Sequence, residues 1–76
     1  MSKLLKLIQK ILDGRDVSYE EAEVLLLKMG FQLEIRGSHH IFRKKGYVKN
    51  ISIKRRPQLL PYQLADLREV LRDHGY

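Results

Sequence analysis

The stretch FQLEIRGSHHIFRKKGYVKNISIK, residues 31–54, predicts a small β-sheet in this protein. Its first segment, FQLEIR, alternates apolar and polar side chains, which places Phe31, Leu33 and Ile35 on one face. Alternation with a period of two is typical of a strand that has one buried face and one solvated face.

Two further strands are predicted after this one. Residues 39–44 (HHIFRK) form the second, and residues 48–54 (VKNISIK) form the third. Gly37-Ser38 and Gly46 mark the turns between the strands. Three strands joined by tight turns predict an antiparallel meander with one covered face and one open face.

Apolar residues at helical spacing predict helices on both sides of this stretch. The first helix spans residues 3–12. The second begins at a capping box formed by Ser18 and Glu21 and ends at Gly30. The third spans residues 61–73, with proline at its first position.

The predicted order is therefore α-α-β-β-β-α, in a single domain that covers residues 1–76. Helices packed on one face of a three-stranded antiparallel sheet belong to the α+β class. The last five elements follow the order of a double-stranded-RNA-binding domain, and this similarity concerns topology alone.

The composition is that of a small folded protein. Apolar residues make up 43% of the chain and charged residues 32%, and no apolar run approaches the roughly 20 residues that span a membrane. We therefore expect no membrane partner and a cytoplasmic location. The chain has no cysteine, which excludes disulfides, thiolate zinc sites and a cysteine nucleophile.

The positive charge is concentrated in the middle of the chain. The formal net charge is +6, and residues 35–56 contain no acidic side chain. They contain eight basic ones: Arg36, Arg43, Lys44, Lys45, Lys49, Lys54, Arg55 and Arg56. Charge concentrated in this way favours a polyanionic partner over a merely solvated surface.

Two adjacent histidines, His39 and His40, lie within this basic segment. Adjacent residues of a strand point to opposite faces, so the pair cannot bind one metal ion from a regular strand. No metal site is predicted. Ser38 is better interpreted as a turn residue or a phosphate ligand than as a nucleophile, because no acid–histidine–serine arrangement is visible.

A histidine among cations suits the cleavage of RNA, which carries its own nucleophile, the 2′-hydroxyl. Histidine titrates near neutral pH and can remove that proton, while nearby cations stabilise the charge that develops on the phosphate. The chemistry needs neither a metal nor a cofactor and leaves a cyclic phosphate. The alternatives are an RNA-binding module without catalytic activity and an adaptor for an acidic protein.

The segments KMGFQL, GSHHIFRK and LREVLRDHGY resemble those of the HicA family over roughly residues 18–76. HicA proteins are mRNA-interferase toxins of bacterial type II toxin–antitoxin systems. The resemblance implies cleavage of mRNA, growth arrest in a stress response, and a hetero-oligomer with a HicB-type antitoxin protein. The helix at residues 3–12 is an addition to the usual core of the family.

The resemblance also implies a catalytic histidine in the Gly-Ser-His segment. His39, which follows Gly37-Ser38 directly, is favoured, with His40 as the alternative. If Ile41 packs in the core, His39 shares its face, and if Phe42 does, His40 lies on the core side.

The expected RNA-binding residues surround these histidines. They are Arg36, Gly37, Ser38, Arg43, Lys44, Lys45, Lys54 and Arg55. Many relatives carry a second histidine in a Pro-x-His segment after the third strand. The region IKRRPQLLPYQLADL has no such histidine, so any general acid would be a lysine, a tyrosine or water.

Overall fold

A computed structural model describes residues 3–55 and 57–76. Within this part of the chain, three helices and a three-stranded sheet follow the predicted order. The elements are α1 (Lys3–Leu12), α2 (Tyr19–Lys28), β1 (Gln32–Arg36), β2 (His39–Arg43), β3 (Ile51–Lys54) and α3 (Pro61–Asp73). The α+β class and the α-α-β-β-β-α order are thereby confirmed.

The capping box of α2 is present as predicted. The backbone N–H of Glu21 donates to Ser18 Oγ at 3.1 Å, and the Ser18 N–H donates to Glu21 Oε1 at 3.1 Å. Lys10 of α1 donates to both carboxylate oxygens of Glu21, at 3.0 and 2.9 Å. Glu21 therefore both caps α2 and holds α1 against it.

The sheet is an antiparallel meander with β2 in the centre. Gly37 and Ser38 form a two-residue loop between β1 and β2. Gly37 has a φ of +60°, and no residue other than glycine has a positive φ within the described ranges. Glycine with positive φ at the first loop position is the pattern of a type II′ turn, whose twist suits a hairpin.

The third strand is shorter than predicted. It begins at Ile51 rather than at Val48, whose side chain is 94% exposed. Tyr47 Oη donates to Asp73 Oδ2 at 2.7 Å, and Lys49 forms ion pairs with Glu69 and with Asp73 of α3. These side chains hold the segment before β3 against the last helix, so it does not pair with β2.

The core lies between the helices and one face of the sheet, here called the covered face. It contains Phe42, Ile51 and Ile53 from the strands, together with apolar side chains from all three helices. Ile35 shares this face with Leu33, as the alternation predicts, but Ile35 is 60% exposed and does not belong to the core. It lies next to the hairpin loop on an edge strand, where the helices do not reach it.

The helices found in the described ranges are too short, or too polar, to cross a membrane.

Candidate nucleic-acid interface

The burial of Phe42 determines where the two histidines point. Phe42 is fully buried on the covered face, and side chains alternate along a strand. His40 therefore lies on the covered side, whereas His39 and Ile41 lie on the opposite, open face. The sequence left both arrangements possible, and the packing of one aromatic residue decides between them.

The sheet register places His39 between two cations. His39 lies directly opposite Arg36 of β1 and directly opposite Lys54 of β3. Directly opposite residues of antiparallel strands have Cβ atoms roughly 5 Å apart. We call these three exposed side chains the histidine row. It lies beside the loop formed by Gly37 and Ser38, so all these predicted site residues come together.

His40 has a different environment, inside the fold. It is half-buried, and its Nδ1 is hydrogen-bonded to the hydroxyl of Tyr19, the first residue of α2. The two rings meet edge to face, with centroids 4.9 Å apart. Burial, followed by a hydrogen bond with Glu23, raises the pKa of Tyr19 above its usual range. A neutral tyrosine therefore holds His40 against α2.

A second row crosses the open face next to the histidine row. In this middle row, Ile41 of the central strand lies between Glu34 of β1 and Ser52 of β3. Glu34 Oε1 accepts a hydrogen bond from Arg36 Nε at 2.9 Å, and Arg36 Nη2 forms an ion pair with the same oxygen at 2.8 Å. Arg43 Nη1 lies 3.4 Å from Glu34 Oε2. The hydrogen bond from Arg36 lowers the pKa of Glu34, which keeps its carboxyl group ionised.

Glu34 was not predicted as a site residue. It lies one position before residues 35–56, the segment that has no acidic residue. A count of the charges in that segment therefore does not include it. The signal that could have revealed it is its spacing, since residues two apart on a strand share a face. Glu34 and Arg36 are therefore neighbours on the open face, and the basic surface has a carboxylate inside it.

The remaining predicted cations do not join the histidine row. Arg55 Nη2 lies 3.3 Å from Glu20 Oε1, and the Arg55 guanidinium lies over the Tyr19 ring at 5.9 Å, on the covered side. Lys44 Nζ lies 5.8 Å from the centre of the Phe31 ring, and Lys45 is exposed in the following loop. Arg56 lies outside the described residues. The cations that the strands place on the open face are Arg36, Arg43 and Lys54.

Family models, curated proteins and solved structures gave no match to this chain. The HicA resemblance and the topological likeness to a double-stranded-RNA-binding domain therefore stay predictions from the sequence. In residues 3–55 and 57–76, no group of three or more histidine, aspartate and glutamate side chains could hold a metal ion.

The open face can therefore combine proton transfer with anion binding. His39 is exposed, so a bound group can reach its imidazole. Lys54 forms no ion pair within the described ranges and can contact an anion directly. Arg36 uses Nε and Nη2 to hold Glu34, which leaves Nη1 and part of its charge for a ligand.

Replacing Gly37 with alanine is expected to lower the free energy of unfolding by about 1–2 kcal/mol. A Cβ at Gly37 would meet no atom within 4 Å, so the loss comes from the left-handed backbone alone. Gly14 is a matched control, because its φ is +75° and its surroundings are equally empty. Urea denaturation should show similar losses for both variants, and only Gly37→Ala should also slow RNA cleavage. Unchanged stability of Gly37→Ala would contradict the assigned turn.

Proposed function

We propose that the protein is an endoribonuclease toxin that cleaves mRNA without a metal ion and thereby inhibits translation and growth. The observation that carries the proposal is the histidine row, in which His39 lies exposed between Arg36 and Lys54 on an open sheet face. RNA supplies the nucleophile itself, so the protein has to provide only a general base and cations beside the phosphate.

In the proposed reaction, the phosphate next to the reactive ribose lies over the histidine row. Neutral His39 removes the proton of the 2′-hydroxyl, and the 2′-oxygen attacks the phosphorus. The bond from phosphorus to the 5′-oxygen breaks, which leaves a 2′,3′-cyclic phosphate on one fragment and a 5′-hydroxyl on the other. Arg36 and Lys54 stabilise the negative charge that builds up on the phosphate oxygens.

The leaving 5′-oxygen also needs a proton. No second histidine lies on the open face within the described residues, since His40 is bound to Tyr19 and His74 Nδ1 is bound to the carbonyl oxygen of Val70 in α3. Water or a neighbouring lysine supplies this proton in the proposed reaction. A reaction with one positioned general base and no strong general acid should be slower than one that has both.

The biological setting is proposed from the HicA resemblance. It predicts a cytoplasmic toxin, because its substrate is mRNA, and a hetero-oligomer with a HicB-type antitoxin protein. Phosphate contacts from lysine and arginine should make RNA binding fall steeply as salt concentration rises. Expression of the chain without its antitoxin is expected to arrest growth.

The direct test is the product of cleavage. Purified protein incubated with a defined mRNA in excess EDTA should produce fragments that end in a 2′,3′-cyclic phosphate and begin with a 5′-hydroxyl, as mass spectrometry can show. The same RNA with 2′-O-methyl groups should stay intact, because it lacks the nucleophile. RNA that is bound but never cut would support the RNA-binding module instead, and fragments with 3′-hydroxyl ends would contradict the proposed chemistry.

A further inference from the structure

The middle row differs chemically from the histidine row beside it. Ile41 is the one apolar side chain that the described strands place on the open face. It lies on the central strand, with the Glu34 carboxylate on one side and the Ser52 hydroxyl on the other. An apolar surface between two polar groups is suited to a flat ring with a polar edge. A phosphate has no flat apolar face and does not fit such a surface.

We propose that the middle row is a nucleobase subsite that prefers guanine. This inference rests on the proposed function for its substrate, single-stranded RNA, and adds which base lies beside the phosphate that His39 acts on. Ile41 contacts the face of the base, and Glu34 accepts hydrogen bonds from its edge. Ser52 marks the other side of the subsite, where its hydroxyl can both donate and accept.

The charge state of Glu34 explains why the base should be guanine. An ionised carboxylate can only accept hydrogen bonds, and guanine is the base whose pairing edge offers two adjacent donors, the ring N–H and the exocyclic amino group. Adenine and cytosine each present one amino group next to an acceptor nitrogen. Uracil presents one N–H between two carbonyl oxygens, which the carboxylate would repel.

Glu34 has capacity left for this contact. Arg36 makes both of its short contacts with Oε1, at 2.9 and 2.8 Å. The contact between Arg43 Nη1 and Oε2 is 3.4 Å, which is longer than an ordinary hydrogen bond. The side chain of Glu34 is 40% exposed. Oε2 therefore accepts no hydrogen bond of ordinary length from the described residues, and the exposed side chain leaves it able to accept from a ligand.

The same carboxylate also determines where a phosphate cannot lie. Positions two residues apart on a strand are roughly 7 Å apart, so the histidine row and the middle row are separate binding positions. Negative charge on Glu34 repels a phosphate from the middle row, while Arg36 and Lys54 attract one to the histidine row. The two rows together therefore place the base and the phosphate in a defined order across the sheet.

The test measures binding of short uridine oligonucleotides in which one central position is guanosine, adenosine, cytidine or uridine. All carry 2′-O-methyl groups, so they are not cut and binding is measured without cleavage. The wild-type protein should bind the guanosine oligonucleotide roughly tenfold more tightly than the others, the discrimination expected of a paired hydrogen-bond contact. Glu34→Gln should lose that preference, because its amide presents a donor to the guanine edge.

Glu69→Gln is the matched control, since Glu69 is an exposed carboxylate on α3 that pairs with Lys49, outside the strands. It should keep the preference for guanosine. Equal affinity for all four oligonucleotides, or a preference that survives Glu34→Gln, would overturn the subsite. A guanosine preference without any cleavage of unmodified RNA would leave the subsite standing and refute the ribonuclease. Cleavage of unmodified RNA without any base preference would refute the subsite and leave the ribonuclease standing.

Discussion

Replacing His39 with alanine is expected to reduce the rate of RNA cleavage by roughly 10²- to 10⁴-fold, the contribution of a positioned general base. His39 is exposed on the open face, so its removal should leave the fold and the affinity for uncut RNA nearly unchanged. Single-turnover cleavage measured with saturating protein separates the chemical step from binding. A contaminating nuclease would cut RNA equally in both preparations, because a substitution in this protein cannot remove it. A loss of cleavage in the variant therefore assigns the activity to the protein itself.

His40→Ala is the matched comparison, because it changes the same residue type one position along the strand. It should keep most of the cleavage rate and lose stability instead. Its hydrogen bond with Tyr19 is partly buried, and the loss of such a partner lowers the free energy of unfolding by roughly 1–3 kcal/mol. If His40→Ala abolished cleavage while His39→Ala did not, the assignment of the catalytic histidine to the open face would be wrong.

Phe42→Ala is expected to destabilise the protein most. The Phe42 side chain is fully buried, and such truncations lower the free energy of unfolding by about 3–5 kcal/mol. Small domains are stable by only about 5–15 kcal/mol in total, and short chains lie at the low end of that range. Urea denaturation followed by circular dichroism should therefore show a midpoint far below that of the wild-type protein, or no folded baseline.

Ile41→Ala tests the same assignment from the opposite face. Ile41 is the neighbour of Phe42 on β2 and is half-buried on the open face. Removing it should lower the free energy of unfolding by only about 1 kcal/mol, since much of its surface is already in contact with water. If Ile41→Ala were the more destabilising of the two variants, the faces would be reversed and His40 would be the residue presented to RNA.

The order of the elements and the bounds of α1 and α3 follow from the sequence because they depend on local features. The predicted helices at residues 3–12 and 61–73 are α1 and α3. The cap of α2 forms between two residues three positions apart. The third strand was overestimated because alternation alone does not reveal that Tyr47 and Lys49 bind α3. Those contacts join residues more than twenty positions apart, beyond the reach of a local pattern.

The sequence also predicts a sheet with two chemically different faces and places a histidine and several cations near one hairpin. Which histidine is exposed depends on packing between distant segments, because Ile41 and Phe42 are both apolar and either could have packed in the core. The helices cover the side with Phe42. The register then brings Arg36 and Lys54 to His39 and places Glu34 beside them. Pairing between strands sets these neighbours, and no single segment of the chain contains that information.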